Sequence, residues 1–406
     1  HWGTPLKHLF VALAVLAASS LTTTHAQETE EAADELRDFD LPASEISDMV
    51  GDGGLDLGDV DFEGSPLKRF AEKWPEDLVI APIPGRSPQL GWQLTLAGGY
   101  FLNSKQDDGE VNSHPSLIGG FGMVSENGSY AYGAGAYFHL LDDKLRVKAG
   151  AGYADDRYRF YGIGNKQNDL GISVNILQQM PLYFTTATYR VWNKLYLGVG
   201  YAGGTVNTKI KLVIPDPNLV NPLGDLDIGA WMIPLEFDTR DHEQFPRTGV
   251  HISGRAMLYS KSSGTDFNAE TYKIAGNHYL PIGERNVLAT RLIVRWTKGD
   301  APFFLKSSFG GSTDLRGYPS GRYRDNMMYA VQTEYRWQFN DRWIFTGFAG
   351  VGEVADKFSN FGNNYLPAAG LGARFVLSKK HRVGLSFDVA QGKDDTEYYF
   401  GVGEAF

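Results

Sequence analysis

From about residue 78 onward the dominant periodicity along the chain is two. Between Leu90 and Leu102 the even positions Leu90, Trp92, Leu94, Leu96, Tyr100 and Leu102 are apolar or aromatic, while the odd ones include Gln93, Thr95 and Gly99. Leu288, Leu292, Val294 and Trp296 oppose Arg291, Arg295 and Thr297 in the same way. So do Met327, Tyr329, Val331, Tyr335, Trp337 and Phe339 against Gln332, Glu334, Arg336 and Gln338. Successive side chains of a strand point to opposite faces, so each stretch predicts a strand with one apolar and one polar side. A soluble sandwich with one solvated face alternates likewise. Three features select a membrane barrel instead. The apolar face is rich in Tyr, Trp and Phe, the polar face carries Arg and Glu suited to a wet lumen, and connections alternate between short and long. Short turns are expected at Leu141-Asp142-Asp143, Trp192-Asn193, Asn340-Asp341 and Ser378-Lys379-Lys380, and long loops at 159–173, 210–225, 299–325 and 354–366.

Counting backward from Phe406 gives about sixteen strands: 78–85, 90–102, 115–125, 129–140, 144–158, 179–191, 194–207, 226–238, 248–260, 269–281, 286–298, 326–338, 342–353, 367–378, 381–391 and 397–406. The expected fold is therefore an all-β, transmembrane antiparallel β-barrel over residues 78–406.

The first 77 residues are different material. Lys7 and His8 precede the apolar run Leu9–Leu21, and Thr24-His25-Ala26 stand before Gln27. A basic start, a short apolar stretch and small residues before a polar segment read as a signal peptide, residues 1–26. As a helix that run rises only about 20 Å, short of a hydrocarbon core of roughly 30 Å. Residues 27–77 are acidic, Gly-rich and poor in large apolar side chains, so they cannot bury enough surface to offset their ordering entropy. Within them Ser65–Trp74 could form one amphipathic helix with Leu67, Phe70 and Trp74 on a shared side, plugging the barrel or lying on the membrane. The Asp/Gly spacing at 51–64 resembles a calcium-binding repeat, but a single imperfect copy has no neighbour to stack on and reads as a solvated linker.

Composition narrows the chemistry. The 406 residues carry a net charge of −10, which with the lack of a basic patch disfavours nucleic-acid binding. No cysteine is present, so disulfide frameworks, thiolate metal sites and cysteine catalysis are excluded. A mean hydropathy of −0.28 suits a barrel as well as a soluble protein, because each spanning strand is only half apolar. The His residues are scattered, and neither His242 nor His251 stands beside a motif nucleophile, so an enzyme is not expected; neither is a cofactor or a metal.

Residues 310–325 read GGSTDLRGYPSGRYRD, in the longest late loop. Arg316-Gly317-Tyr318 resembles the VRGF/Y signature of the BamA/TamA-like outer-membrane protein superfamily (the bacterial surface antigen family). FDTRDHEQFPRTG at 237–249, with Asp238 and Arg240, and VGLSFDVAQGKDDTEYYFGVGEAF at 383–406 agree with it. The resemblance covers residues 78–406 and implies that the signature loop folds into the lumen. There Arg316, Gly317 and Tyr318 would lock it against acidic side chains, with Glu334 and Asp388 as candidates on lumenal faces. One departure stands out. The family's F-x-D-x-G motif is Phe348-Ala349-Gly350-Val351-Gly352 here, so its carboxylate is missing, and the lock would rest on Glu334 alone or borrow Glu353. Tyr398, Phe400 and the final Phe406 share an alternating face, as in the C-terminal signal read by the barrel assembly machinery, although Glu404 stands where an aromatic is more usual.

Relatives that insert or translocate proteins carry periplasmic POTRA modules, whereas the acidic stretch 27–77 is too short and too polar to form one; the chain resembles short members lacking them. The resemblance implies a bacterial outer-membrane location and assistance in inserting or translocating a protein or lipid substrate. Pro82 and Pro84 in the first strand each remove a ladder donor, so pairing with the last strand should be thin and the seam able to open. The alternative is a passive or gated channel for small solutes, its lumen lined by Arg255, Arg291, Arg295, Arg336, Glu236, Glu334 and Asp388. Expected partners are outer-membrane lipids, the assembly machinery during biogenesis, a client protein or lipid, and a second copy of the chain.

Overall fold

Alternation of apolar and polar positions becomes, in three dimensions, a closed wall. Sixteen antiparallel strands form it. They are β1 (Leu78–Ser87), β2 (Gly91–Leu102), β3 (Ser116–Ser125), β4 (Tyr130–Leu140), β5 (Leu145–Phe160), β6 (Val174–Trp192), β7 (Leu195–Lys211), β8 (Asp225–Asp238), β9 (Gly249–Tyr259), β10 (Ala269–Ile282) and β11 (Asn286–Gly299). Two short strands, β12 (Ser307–Phe309) and β13 (Tyr323–Asp325), pair with each other inside the long loop that follows. The wall resumes with β14 (Met327–Gln338), β15 (Trp343–Ala355), β16 (Leu366–Ser378), β17 (Val383–Gln391) and β18 (Thr396–Val402). The structure, a computed structural model, describes residues 78–102, 116–164, 173–211, 225–242, 245–378, 383–394, 396–402 and 404–406. The expected signal peptide, the acidic segment and the Ser65–Trp74 stretch lie outside the described residues. Leu78–Pro82 belongs to a first compact unit and is extended chain; Ile83–Phe406 form the second unit.

Register assigns the two faces. Asp238 pairs with His251, Lys273 with Arg255 and Arg295, and Arg291 with Gln332, so the polar side chains of neighbouring strands stand in rows along the lumen. The opposite parity presents Trp231, Ile233, Leu292, Tyr335 and Trp337 outward, all exposed to what would be lipid. Outward aromatics cluster as an anchoring belt, with Tyr132 and Tyr153 stacked at 5.6 Å and Tyr201 edge-on to Trp231 at 5.5 Å.

Strand ends depart from the expected ones in an instructive way. β6 starts at Val174, not 179, and β7 runs on to Lys211. Beyond the apolar band both faces of a strand meet water, so alternation disappears from the sequence while the backbone ladder continues. At the other end, β18 stops at Val402, and Glu404–Phe406 are not part of the strand. β1 meets β18 at Arg86↔Phe400, the pairing seen among the described residues; the Arg86 guanidinium donates to the Tyr398 carbonyl at 3.3 Å and lies over the Trp92 and Tyr398 rings.

The β4–β5 turn shows how tightly the short-turn end is built. Leu141, Asp142 and Asp143 all adopt left-handed backbone angles (φ 55°, 54° and 58°), a costly run for residues with a Cβ. Asp143 holds it by accepting bonds from Arg146 (2.8 and 2.7 Å) and Tyr196 (2.6 Å) and pairing with His139 at 2.6 Å. Burial alone would raise this carboxyl. The hydrogen bonds from Arg146, Tyr196 and His139, with the Arg146 charge, outweigh it and hold the group well below the usual carboxylate range.

Candidate functional site: the clamped lumenal loop

The loop between β11 and β14 enters the lumen, and its entry is prepared on both sides. Thr297 on β11 bonds the Leu305 carbonyl at 3.0 Å and Ser307 at 3.2 Å. Arg295, one lumenal position earlier, bonds the Ser308 carbonyl and pairs with Asp314 at 2.7 Å. Glycines at 310, 311, 317 and 321 all have positive φ, letting the chain reverse where a side chain would strain it.

At its apex Leu315 and Arg316 are completely buried. Leu315 packs among Ile293, Met328, Ala330, Val354 and Leu366. Arg316 bridges two strands: one guanidinium nitrogen donates to Glu334 at 2.6 Å on β14, the other to Asp388 at 2.7 Å on β17. Its planar face lies 3.4 Å from the centroid of the Phe348 ring on β15, and its backbone N–H donates to Gln332 at 3.1 Å. A guanidinium can satisfy two carboxylates and an aromatic face at once because its donors are fixed in one plane. Gly317 N–H donates to the Tyr399 hydroxyl at 2.9 Å, and a Cβ on Gly317 would lie 3.1 Å from that of Ala368, so the loop backbone touches the wall directly. Tyr318 donates to the Pro367 carbonyl at 2.7 Å and accepts from Lys393 N–H at 3.0 Å, which pins the loop to β16 and to the β17–β18 connection.

Glu334 and Asp388 thus meet Arg316 directly. Glu353 does not. Its carboxylate accepts from the backbone N–H groups of Gly362, Asn363 and Asn364 at 2.8, 3.0 and 2.9 Å, holding the β15–β16 loop instead. The missing motif carboxylate has a packing counterpart: a Cβ on Gly350 would lie 2.7 Å from Leu315 Cδ1, and one on Gly352 3.2 Å from Cδ2. Leu315 occupies the space that a side chain at 350 would need, and Asp388 supplies the second carboxylate from another strand. Asp238 and Arg240 form a pair of their own at the β8–β9 connection, with contacts of 2.6 to 3.1 Å.

The sequence places Arg336 in the lumen but not in the clamp, and it points to neither Arg374 nor Glu404 as a participant. Arg336 donates to Glu334 at 2.7 Å. Arg374 pairs with Asp388 at 2.6 Å and lies 3.6 Å from Glu334. Glu404, expected as a flaw in an aromatic pattern, pairs with Arg374 at 2.9 Å and lies 3.7 Å from Arg336. Three guanidinium groups and three carboxylates therefore alternate in one buried cluster. Arg336 was legible by parity; Glu404 was not, because it depends on the chain leaving the strand after Val402. Phe406 turns with it. Tyr398 stays outward and exposed, but Phe406 packs on the lumenal residues Tyr279, Val287 and Ala289, and its carbonyl accepts from Arg336 at 2.9 Å. The expectation that Phe406 shares the outward face of Tyr398 and Phe400 is corrected accordingly.

Among the described residues, Glu236, Asp238 and His251 bring metal-ligand atoms within 4.8 Å of one another. Their charges are already engaged: Asp238 is chelated by Arg240, and Glu236 lies 3.6 Å from both Arg146 and His251.

Comparison with known proteins places this geometry. The Omp85 superfamily domain matches residues 141–406. No curated protein matches the sequence. Among solved structures, BamA from Haemophilus ducreyi lacking POTRA domains 1–3 is similar at a TM-score of 0.57 and 13% identity, over 80% of this chain and 70% of that one. CdiB from Escherichia coli is similar at 0.58 and 12%, over 81% of this chain and 63% of that one. CdiB from Acinetobacter baumannii gives 0.53 and 12%, over 81% and 60%. The chain thus spans less than two thirds of either CdiB, and at such identities the likeness is one of fold. With the domain match extending from the β4–β5 turn to the last residue, the chain belongs to the Omp85 superfamily and is an outer-membrane β-barrel.

Proposed function

We propose that this barrel assists the insertion or translocation of a protein or lipid substrate at the outer membrane, with the β11–β14 loop as a releasable plug and the β1–β18 seam as the place where the wall opens. The observation that carries the reading is the shared cluster. Arg316 on the plug, Glu334, Arg374 and Asp388 on the wall, and Glu404 on the C-terminal tail beyond β18 form one ionic network, so moving the plug disturbs the strands next to the seam. Opening a seam exposes unpaired N–H and C=O groups, and an incoming strand can satisfy them. Pro84 in β1 has no N–H to donate, which favours a weak edge there. In this reading the work is done by edge pairing and plug movement, and the chain is not an enzyme.

The test uses the absence of native cysteine. Arg86 and Phe400 are directly opposed, and opposed residues of an antiparallel pair lie about 4.5–5.5 Å apart at Cα, within reach of a disulfide. The Arg86→Cys/Phe400→Cys protein in proteoliposomes, when reduced, should accelerate folding of an unfolded barrel client, and oxidation should abolish that. Equal acceleration in both states would remove the seam from the mechanism. Steady conductance with no effect on any client would favour the small-solute channel.

A further inference from the structure

The lumen has a second, chemically distinct wall, away from the clamp. On β3 to β6 the inward parity carries few polar groups. Register aligns Phe121 with Gly133, Gly133 with Gly152 and Gly152 with Leu182, and in the next row Gly150 with Phe184. These are lumenal positions, because Lys148, two residues before Gly150, faces the same compartment as Glu236, His251 and Arg255. Phe121, Leu182 and Phe184 are nonetheless 46%, 42% and 43% exposed. The Phe121 and Phe184 rings lie over the bare backbone of Gly133 and Gly150, where an added Cβ would meet them at 3.2 and 2.9 Å. Together with Ala131 and Ala154 they line a cavity of about 660 Å³, within the range of small-ligand sites. Large apolar side chains left uncovered inside the barrel mark a binding surface.

Charge beside this cleft narrows the ligand. A neighbouring cavity of about 730 Å³ shares Lys148, Met180, Leu182 and Phe184 with it and is also lined by Arg255 and Lys273. Arg295 is taken up by Asp314, and Glu236 lies beside Arg146 and His251. Lys148, Arg255 and Lys273 have no carboxylate partner within salt-bridge distance among the described residues; Lys148 lies over the Tyr137 ring at 4.4 Å. A polypeptide is a poor occupant, because the N–H and C=O groups of the floor are consumed by strand pairing and a buried peptide backbone would go unsatisfied. An acyl chain has no such need.

We propose that this chamber binds a long-chain fatty acid, its chain on the Gly/Ala floor of β3–β6 and its carboxylate toward Lys148, Arg255 and Lys273. Its floor and its cations belong to the wall, although Phe304 and Leu305 of the plug loop line the cation-bearing cavity and Gly310–Asp314 border Ala131 and Ala154. Binding is read with the plug in place and requires no movement of plug or seam, so its failure leaves the proposed function standing, and the converse holds.

The full chain, refolded into phosphatidylcholine nanodiscs, is irradiated with palmitic acid carrying a terminal diazirine, and labelled residues are mapped by mass spectrometry. Labels are expected on the lumenal Phe121, Met180, Leu182 or Phe184. Unlabelled palmitate should compete at least about tenfold better than hexadecanol, and Lys148→Gln/Arg255→Gln/Lys273→Gln should lower labelling by about tenfold. Ala154→Phe, which fills the floor while leaving the cations, should lower it too, with heat-modifiable migration reporting that both variants fold. Labelling confined to the outward Tyr132, Tyr153 or Tyr183 would overturn the proposal. So would equal competition by hexadecanol, indifference to Ala154→Phe, or stronger protection of the cleft by an alternating strand peptide than by palmitate.

Discussion

Replacing Arg316 by alanine tests the clamp most directly. The substitution removes bonds of 2.6 and 2.7 Å to Glu334 and Asp388 and the contact with Phe348. Removing one partner of a buried ion pair costs about 3–5 kcal/mol, because the other charge is left uncompensated. Here Arg336 still holds Glu334 and Arg374 still holds Asp388. The three carboxylates then face two guanidinium groups, and the loss should sit at the low end, about 3 kcal/mol. At 1.4 kcal/mol per factor of ten, the balance between inserted and released loop shifts about a hundredfold. Arg316→Lys should fall between, since a single ammonium cannot reach two carboxylates in one plane and also stack on a ring. Single-channel recording in planar bilayers reads the change: a mostly closed wild type, a flickering lysine variant and an open alanine variant. Trypsin offers an independent reading, because Arg322 and Arg324 lie in the same loop and should become cleavable as it is released. Identical, steady conductance and identical cleavage of all three proteins would refute the clamp.

Three other outcomes are expected. Gly350→Asp restores the family's carboxylate but puts a side chain where Leu315 sits and a Cβ 2.5 Å from the Val331 carbonyl; it should destabilise by about 1–3 kcal/mol as an overpacked site, seen as a lower urea midpoint in vesicles. Glu404→Gln removes the charge paired with Arg374 at 2.9 Å and should lower that midpoint by an amount equivalent to about 1.5–3 kcal/mol, whereas a tail free of the lumen would leave it unchanged. The Asp143 carboxyl is depressed in the folded state, so the unfolded chain binds more protons as acid is added, and this group's stabilisation is full above about pH 4 and lost as pH falls further. The stability gap between wild type and Asp143→Asn should therefore narrow between pH 6 and pH 3; a constant gap would mean that the turn is held by packing alone.

Much of this molecule is written locally. Lipid on one side of a strand and a wet lumen on the other act on each residue separately, so alternation at Leu288–Trp296 or Met327–Phe339 reveals strand, face and membrane without knowledge of any neighbour. The even count of sixteen strands follows from the same signal, and the loop signature Arg316-Gly317-Tyr318 is contiguous and therefore readable. Register and the path of the chain beyond its strands are not local. That Asp388, not Glu353, meets Arg316 depends on how β14 to β17 align. That Leu315 fills the place of a lost carboxylate is visible only once the loop lies against Gly350 and Gly352. Glu404 joins the cluster because the last residues turn inward after Val402, a choice rewarded by Arg374 and Arg336 on strands distant in sequence. The apolar cleft on β3–β6 likewise breaks the alternation rule at single positions, and only the closed barrel gathers Phe121, Leu182 and Phe184 onto one face. Sequence alone determines what each residue wants as its surroundings; the closed tertiary structure decides which residues, far apart in the chain, provide them.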